Sequence, residues 1–527
     1  MKPFDDSGAF RPSERGVELL RLAVRGVGVT VVFQGLALAI QTIGTIGLAR
    51  LLLPGDFGLV TMVTTFSLLL MNFGLNGFTE AILQREEIDH FLVSNLFWIN
   101  VGLGALLTIA FAAAAPLLAW FYGEPRVTGV GVAIALTILF TSVSVQHLAL
   151  LMRAMRFWEV SVNGILARTV SVVLSIVLAW AGWGYWALVA GAVALPLATS
   201  IGAWVLCRWT PGLPRRVAGT SPMVQFAMNT YGRFTVNYFA RNLDNLLVGW
   251  RFDARALGFY KKGFDVFILP AAFAGALSSV VISSLRPLMR DAAERRRYLL
   301  AALSTVAFVG MGLGAVLTLV GTDLMLLLLG PGWNVSGRIF TFFGPGIGMM
   351  LLYGTHSWIH LSIGSTDRWF RWALVEFAVT TVLFILGLRW GPVGVAAAWA
   401  ASFWILTVPA LWYAGNPIQL RIVSMIGAVW KYVLASAVAA CACAAIIRAI
   451  PSLATASGTL GAIARIVMVF VLFGPLYLCA VILFHRGCDP LRRVARLLQE
   501  LGLPTRDRRA PKDHKSAVRS IEEQTLA

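Results

Sequence analysis

Fourteen apolar runs of about 20 residues or more divide the chain, each ended by polar, charged or Gly/Pro punctuation. Their limits read as 23–50, 57–82, 91–121, 126–152, 160–181, 184–207, 222–250, 257–285, 298–330, 334–364, 370–390, 392–415, 425–449 and 459–485. An α-helix rises about 1.5 Å per residue and a bilayer core is about 30 Å thick, so runs of this length predict membrane-crossing helices. The fold class expected is an all-α polytopic membrane protein with about 14 transmembrane helices. The intervening segments reach roughly fifteen residues at most and no G-x-x-x-x-G-K-[ST] motif occurs, which leaves no room for an ATPase domain.

One run departs from the pattern. Residues 226–260 read FAMNTYGRFTVNYFARNLDNLLVGWRFDARALGFY, with Asn229, Arg233, Asn237, Arg241 and Asp244 set at helical spacing into an apolar background. Steps of three and four place these five on one helix face. Two arginines and an aspartate at membrane depth cost about 2.5–3.5 kcal/mol each on insertion scales, so the stripe is expected to face a watery cavity. The plainer reading is that Arg241 and Asp244 neutralise each other and pin two helices together. Other runs carry weaker stripes: Gln34, Gln41 and Thr45; Asn72, Asn76 and Glu80; Glu159, Asn163 and Arg168; Arg368, Arg371 and Glu376. Each alone serves equally well as helix–helix glue, at about 0.6 kcal/mol per contact. Together they predict two bundles whose wet, facing surfaces hold fixed positive charge. The candidate cavity residues are Arg233, Asn237, Arg241, Asp244, Gln34, Gln41, Asn76, Glu80 and Arg168. Such a cavity suits an anionic cargo, because guanidinium pairs bidentately with phosphate and stays charged.

The chain also repeats itself. LLLPGDFGLV (51–60) and RFDARALGFY (251–260) place Gly58 and Gly258 in corresponding short loops, expected on the outside. Residues 154–189 echo 365–400, and His147 and His356 precede these segments at comparable places. A repeat of six helices keeps both copies in one orientation, so a parallel pseudo-two-fold with a cavity between lobes is expected. The organisation read from this is a cytoplasmic amphipathic N-terminus (1–22), a six-helix lobe (23–207), a cytoplasmic linker (208–221) and a second six-helix lobe (222–415). Two additional helices (416–485) and a basic cytoplasmic tail (486–527) complete it. Within the tail, 490–503 patterns as an inner-leaflet amphipathic helix, and 504–527 is polar throughout.

Composition agrees: the 527 residues are 58% hydrophobic and 13% charged, more apolar surface than a soluble domain could bury. The net charge of +18 reports membrane orientation rather than nucleic-acid binding. With a cytoplasmic N-terminus, about 30 of the 43 lysines and arginines fall inside and about nine outside. The exception is the outside segment with Arg251, Arg255, Lys261 and Lys262. Both termini are therefore expected in the cytoplasm, and the first apolar run lacks the cleavage pattern of a removable signal peptide. The five cysteines read as small hydrophobes. His356 and His360 resemble half a zinc site without a third ligand, so no metal is expected. No cofactor or catalytic residue is expected either; uphill work would draw on a proton or sodium gradient, for which Asp265 and Asp323 offer carboxylates, or on the cargo's later consumption.

Three segments carry a family likeness: ARLLLPGDFGLVTMVTTF (49–66), FGLNGFTEAILQREE (73–87) with LFWIN (96–100), and RNLDNLLVGWRFDARALGFY (241–260) followed by Pro270. With them the chain resembles the polysaccharide transporter branch of the multidrug/oligosaccharidyl-lipid/polysaccharide exporter superfamily, the Wzx-type flippases, over roughly residues 20–415. The resemblance implies a two-lobe, fourteen-helix fold around a cationic cavity. It implies movement of an undecaprenyl-diphosphate-linked oligosaccharide across the cytoplasmic (inner) membrane for exopolysaccharide or lipopolysaccharide O-antigen biosynthesis. Membrane lipid, and polymerase and chain-length proteins of the pathway, would then be partners. Arg233 and Arg241 would contact diphosphate or acidic sugar, and Asp244 would orient or couple. The sequence departs from the family pattern at Lys261-Lys262, where small or apolar residues are expected, which bears on the outside gate. Two other readings compete. A multidrug or cation exporter should favour an acidic cavity, against which the arginines argue. A membrane-embedded glycosyltransferase or ligase needs a long outside loop with catalytic groups, which the sequence lacks.

Overall fold

A computed structural model describes residues 3–5, 8, 10, 17–85, 87–215, 220–285, 292–450, 458–489 and 491–492. The helices run α1 (Val17–Leu51), α2 (Pro54–Gln84), α3 (His90–Tyr122), α4 (Arg126–Arg153), α5 (Phe157–Trp180), α6 (Tyr185–Cys207) and α7 (Thr220–Arg251). They continue with α8 (Ala254–Leu285), α9 (Ala292–Leu329), α10 (Asn334–Gly354), α11 (His356–Ser362), α12 (Thr366–Gly387), α13 (Gly391–Gly415), α14 (Ile422–Ala449) and α15 (Gly458–His485). The short α11 prolongs α10 past a bend at Thr355, so the described residues form fourteen long helical bodies. Among them, β structure is limited to isolated bridge residues, Phe4 paired with Phe10, and Asp89. Eleven stretches of the described residues are long and apolar enough to cross a membrane, one of them holding both α12 and α13. The protein is a multi-pass helical membrane protein.

The helices pack in one pattern used twice. In the first unit α1 lies on α5, α2 and α3 on α4, and α6 on α4 and α5. In the second, α7 lies on α12, α8 and α9 on α10, and α13 on α10 and α12. The last two helices pack on each other and on α9, where Arg465 of α15 grips Asp323 of α9 through Nε at 2.9 and 3.1 Å. Asp323 is thus tied into a helix–helix ion pair.

The two units meet through α2, which packs on both α7 and α8. Its first turn crosses the first turn of α8 so closely that a Cβ on Gly58 would collide with the Ala254 carbonyl, and one on Gly258 with the Pro54 carbonyl. The contact is reciprocal, as a two-fold demands. Gly58 and Gly258 therefore sit inside helices, not in the loops expected. Each helix starts about one turn earlier than its apolar run because an aspartate closes its first turn. Asp56 accepts from the Leu53 N–H at 3.0 Å, with Pro54 pre-set for the first helical position; Asp253 accepts from the Ala256 N–H at 2.6 Å. Lys261 and Lys262 are likewise in the second turn of α8 and not in a connecting segment. The extensive α2–α7 packing has no equally extensive α1–α8 counterpart among the described residues.

Candidate functional site

The polar stripe of α7 divides on folding. Arg241 is exposed, whereas Asp244 is fully buried and accepts from the Tyr260 hydroxyl of α8 at 2.7 Å and the Trp399 indole N–H of α13 at 2.9 Å. A step of three residues turns a helix by about 300°, which sets Asp244 about 60° round from Arg241. That is enough to carry the carboxylate from the open face into the packing of α7 on α8 and α13. Among the described residues no ion pair joins the two, so the pinning alternative fails, and Asp244 lines no cavity in this conformation. Among the described residues, no side chain reaches its second oxygen, Oδ1, or the Oδ1 of Asn245, both of which are buried.

Arg241 instead lies within electrostatic reach of Glu376 on α12, Tyr353 on α10 and His356 on α11. The Tyr353 hydroxyl is shared by the Glu376 carboxyl and by the Trp372 indole N–H, the latter at 2.9 Å. The interior of the second unit thus holds a mixed cluster of one arginine, one carboxyl group, a tyrosine and a histidine. His356 turns Nδ1 to the Tyr353 carbonyl and packs its ring on that of Tyr353 at 4.6 Å.

The first unit has a smaller counterpart. Arg168 of α5 donates from Nη1 to the Gln41 side-chain oxygen of α1, and its Nε is buried with no partner. Gln34, two turns before Gln41, is exposed beside the edge-on pair Phe33–Trp158 at 5.0 Å. Two predicted residues, Arg168 and Gln41, are therefore brought together, and Arg241 meets partners from three other helices. Asn76 and Glu80 lie on α2, and Arg233 and Asn237 on α7; their side chains are outside the described residues. What holds α7 to α2 is a pair of tyrosines: Tyr238 donates to the Thr65 carbonyl at 2.6 Å and Tyr231 to the Leu69 carbonyl at 3.1 Å.

Above this space the units close through an aromatic and cationic roof. Trp333, in the turn between α9 and α10, meets Phe57 of α2 edge-on at 5.4 Å and donates to the Ala49 carbonyl of α1 at 2.8 Å. Arg50 of α1 reaches back to the Leu327 carbonyl of α9 at 2.9 Å. Lys262 of α8 places its ammonium 4.3 Å from the centre of the Phe57 ring, across the interface. Beneath it Asp265 accepts from Lys261 at 2.7 Å and stands 3.4 Å from the Lys262 ammonium. The sequence marks the lysine pair as a departure and includes Tyr260 in the family-like segment, but Trp333 and Trp399 carry no signal apart from apolar neighbours.

A family model described as "Polysaccharide biosynthesis protein" matches residues 47–337. The chain is 22% identical over 355 residues to the succinoglycan biosynthesis transport protein ExoT of Rhizobium meliloti, covering 67% of this chain and 72% of that protein. It is 23% identical over 312 residues to the lipopolysaccharide biosynthesis protein WzxC of Escherichia coli, covering 58% and 62%. To the teichuronic acid biosynthesis protein TuaB of Bacillus subtilis it is 23% identical over 348 residues, covering 60% and 70%. Among solved structures, the lipid II flippase MurJ in an inward closed conformation superposes with a TM-score of 0.69 at 15% identity, over 87% of this chain and 98% of that one. An inward-facing transporter of the multidrug MATE family superposes at 0.59 and 11% identity, over 72% and 94%. The fold is that of these transporters.

Proposed function

Given that the chain belongs to the polysaccharide biosynthesis protein family, we propose that it is a flippase carrying an undecaprenyl-diphosphate-linked oligosaccharide across the bacterial cytoplasmic membrane. The protein is a membrane transporter and not an enzyme, and its family and fold support a lipid-linked oligosaccharide as cargo. The observation that carries the finer reading is Arg241, a permanently charged group kept exposed on α7 between two like units. A diphosphate is the cargo group that such a charge, with Arg168 in the other unit, would hold. The unequal packing of the two flanks among the described residues, extensive for α2–α7 and not for α1–α8, supports a lipid-linked cargo, since a polyprenyl tail can stay in the bilayer while the head group enters between the units. Movement proceeds by alternating access, with both termini cytoplasmic and the roof facing the periplasm. The drive is a proton or sodium gradient acting on the second unit, where the buried Oδ1 atoms of Asp244 and Asn245 suit a proton or small cation.

The test is a deletion strain. Surface polysaccharide should be lost, with lipid-linked repeat units stranded in the cytoplasmic leaflet. Re-expression of Arg241→Glu at normal abundance should restore no export, and Arg241→Lys part of it. Repeat units that reach the periplasmic leaflet in the deletion strain, or full export by the glutamate variant, would sink the proposal and favour drug export.

A further inference from the structure

Resting on the flippase reading, we infer that Lys261 and Lys262 form a second anion subsite under the roof, whose resident counter-ion Asp265 gives way to the diphosphate of the cargo. Two ammonium groups share one carboxylate, so the cluster carries a net positive charge. The division is unequal: Lys261 is in full contact with Asp265 at 2.7 Å, and Lys262 stands off at 3.4 Å. The side chain of Lys262 is 10% exposed and that of Asp265 37%, so the buried charge belongs to the lysine and the accessible one to its competitor.

The nearest partner of Lys262 on its open side is the face of Phe57, and an aromatic face holds an ammonium less strongly than a phosphate oxygen does. Phe57 belongs to α2 of the other unit and also packs on Trp333, so this contact exists only while the roof is shut. Lys261 is within electrostatic reach of Asp244, which lies one turn along α7 from Arg241. A diphosphate has enough oxygens to engage both lysines. Engaging them releases Asp265 and draws Lys262 away from Phe57, so arrival of the anion loosens the roof at the moment of exit. When no cargo is present, Asp265 balances the lysines and Phe57 holds Lys262 in place.

The experiment is a titration of the full-length protein, in nanodiscs of phosphatidylethanolamine, with undecaprenyl diphosphate. The Lys261→Gln/Lys262→Gln double variant should bind about tenfold or more weakly, while arginine at both positions retains affinity. Asp265→Asn should bind more tightly than wild type, because a competitor has been removed. A purely structural role for the triad gives the opposite sign, and unchanged or weaker binding in Asp265→Asn would overturn the inference even if the double variant fails to fold. Inorganic pyrophosphate competing with the same lysine dependence supports recognition of the diphosphate itself. Phosphatidylglycerol competing equally well overturns it in favour of a lipid headgroup site. Wild type that ignores undecaprenyl diphosphate removes the flippase reading and the subsite together. Binding lost in Arg241→Glu but intact in the double glutamine variant removes the subsite alone.

Discussion

Arg241 and Asp244 stand three residues apart on α7 and end in opposite surroundings, which divides their roles. The arginine stays exposed, as the proposed contact with a cargo requires. The aspartate is held by Tyr260 and Trp399, two donors that would otherwise be buried without an acceptor. Replacing it with leucine leaves both donors unpaired, at about 1–3 kcal/mol for each, and should lower the melting temperature in detergent markedly. Asparagine keeps an acceptor of the same shape, so Asp244→Asn should fold with little loss of stability and yet lose the response of transport to an imposed proton or sodium gradient. Transport assayed in proteoliposomes decides it: gradient dependence unchanged in Asp244→Asn would take the residue out of coupling. The isolated Nε of Arg168 in the first unit shows the same economy, a charged group anchored by Gln41 with one donor left over.

At the scale of elements, helices were legible because a bilayer imposes a length and a polarity that soluble packing does not. The family segments, the six-helix repeat and the fourteen bodies could all be read in advance. Two things could not. Periodicity placed the α7 residues on one face, but α7 lies where α2, α8 and α13 converge, and there about 60° of rotation separates open space from core. The glycines of 51–60 and 251–260 looked like loop residues because Pro, Gly and Asp cluster around them, whereas the aspartates are helix caps and the glycines are where two backbones touch. This close crossing makes a prediction. Gly58→Ala and Gly258→Ala should each force α2 and α8 apart to a similar extent, because the contact is reciprocal. A cysteine placed at Ala49, which is 4% exposed in the closed roof, should then react several-fold faster with an impermeant maleimide added from the roof side. The background must lack the five native cysteines, all of which are free thiols. An unchanged rate in both alanine variants would mean that the crossing does not hold the roof.

Across the whole molecule, the side chains that join the two units on the roof side include Arg50, Phe57, Lys262 and Trp333 around the Gly58–Gly258 crossing, with Phe121 of α3 stacked on Trp250 of α7 beside them. Trp333 is only 2% exposed, and it bridges both α1 and α2 of the opposite unit. Its packing on Phe259 lies within its own unit and survives opening, while its contacts with Phe57 and Ala49 do not. Trp333→Ala therefore destabilises the closed roof more than the open one. If the part made only on closure is about 1.5–3 kcal/mol, as for burial of a large apolar side chain, the closed-to-open ratio falls by about tenfold to a hundredfold. Spin labels on cysteines at Trp120, at the end of α3, and Trp390, just after α12, would report the separation of the two units on this side. Both sites are well exposed, at 79% and 71%, so labelling disturbs little packing. The wild type should give one short distance and Trp333→Ala a second, longer population that grows at the expense of the first. A single unchanged distance in the variant would place the work of closure on the glycine crossing and the lysine–phenylalanine contact, and the aromatic bridge would then be a consequence of closure, not its cause.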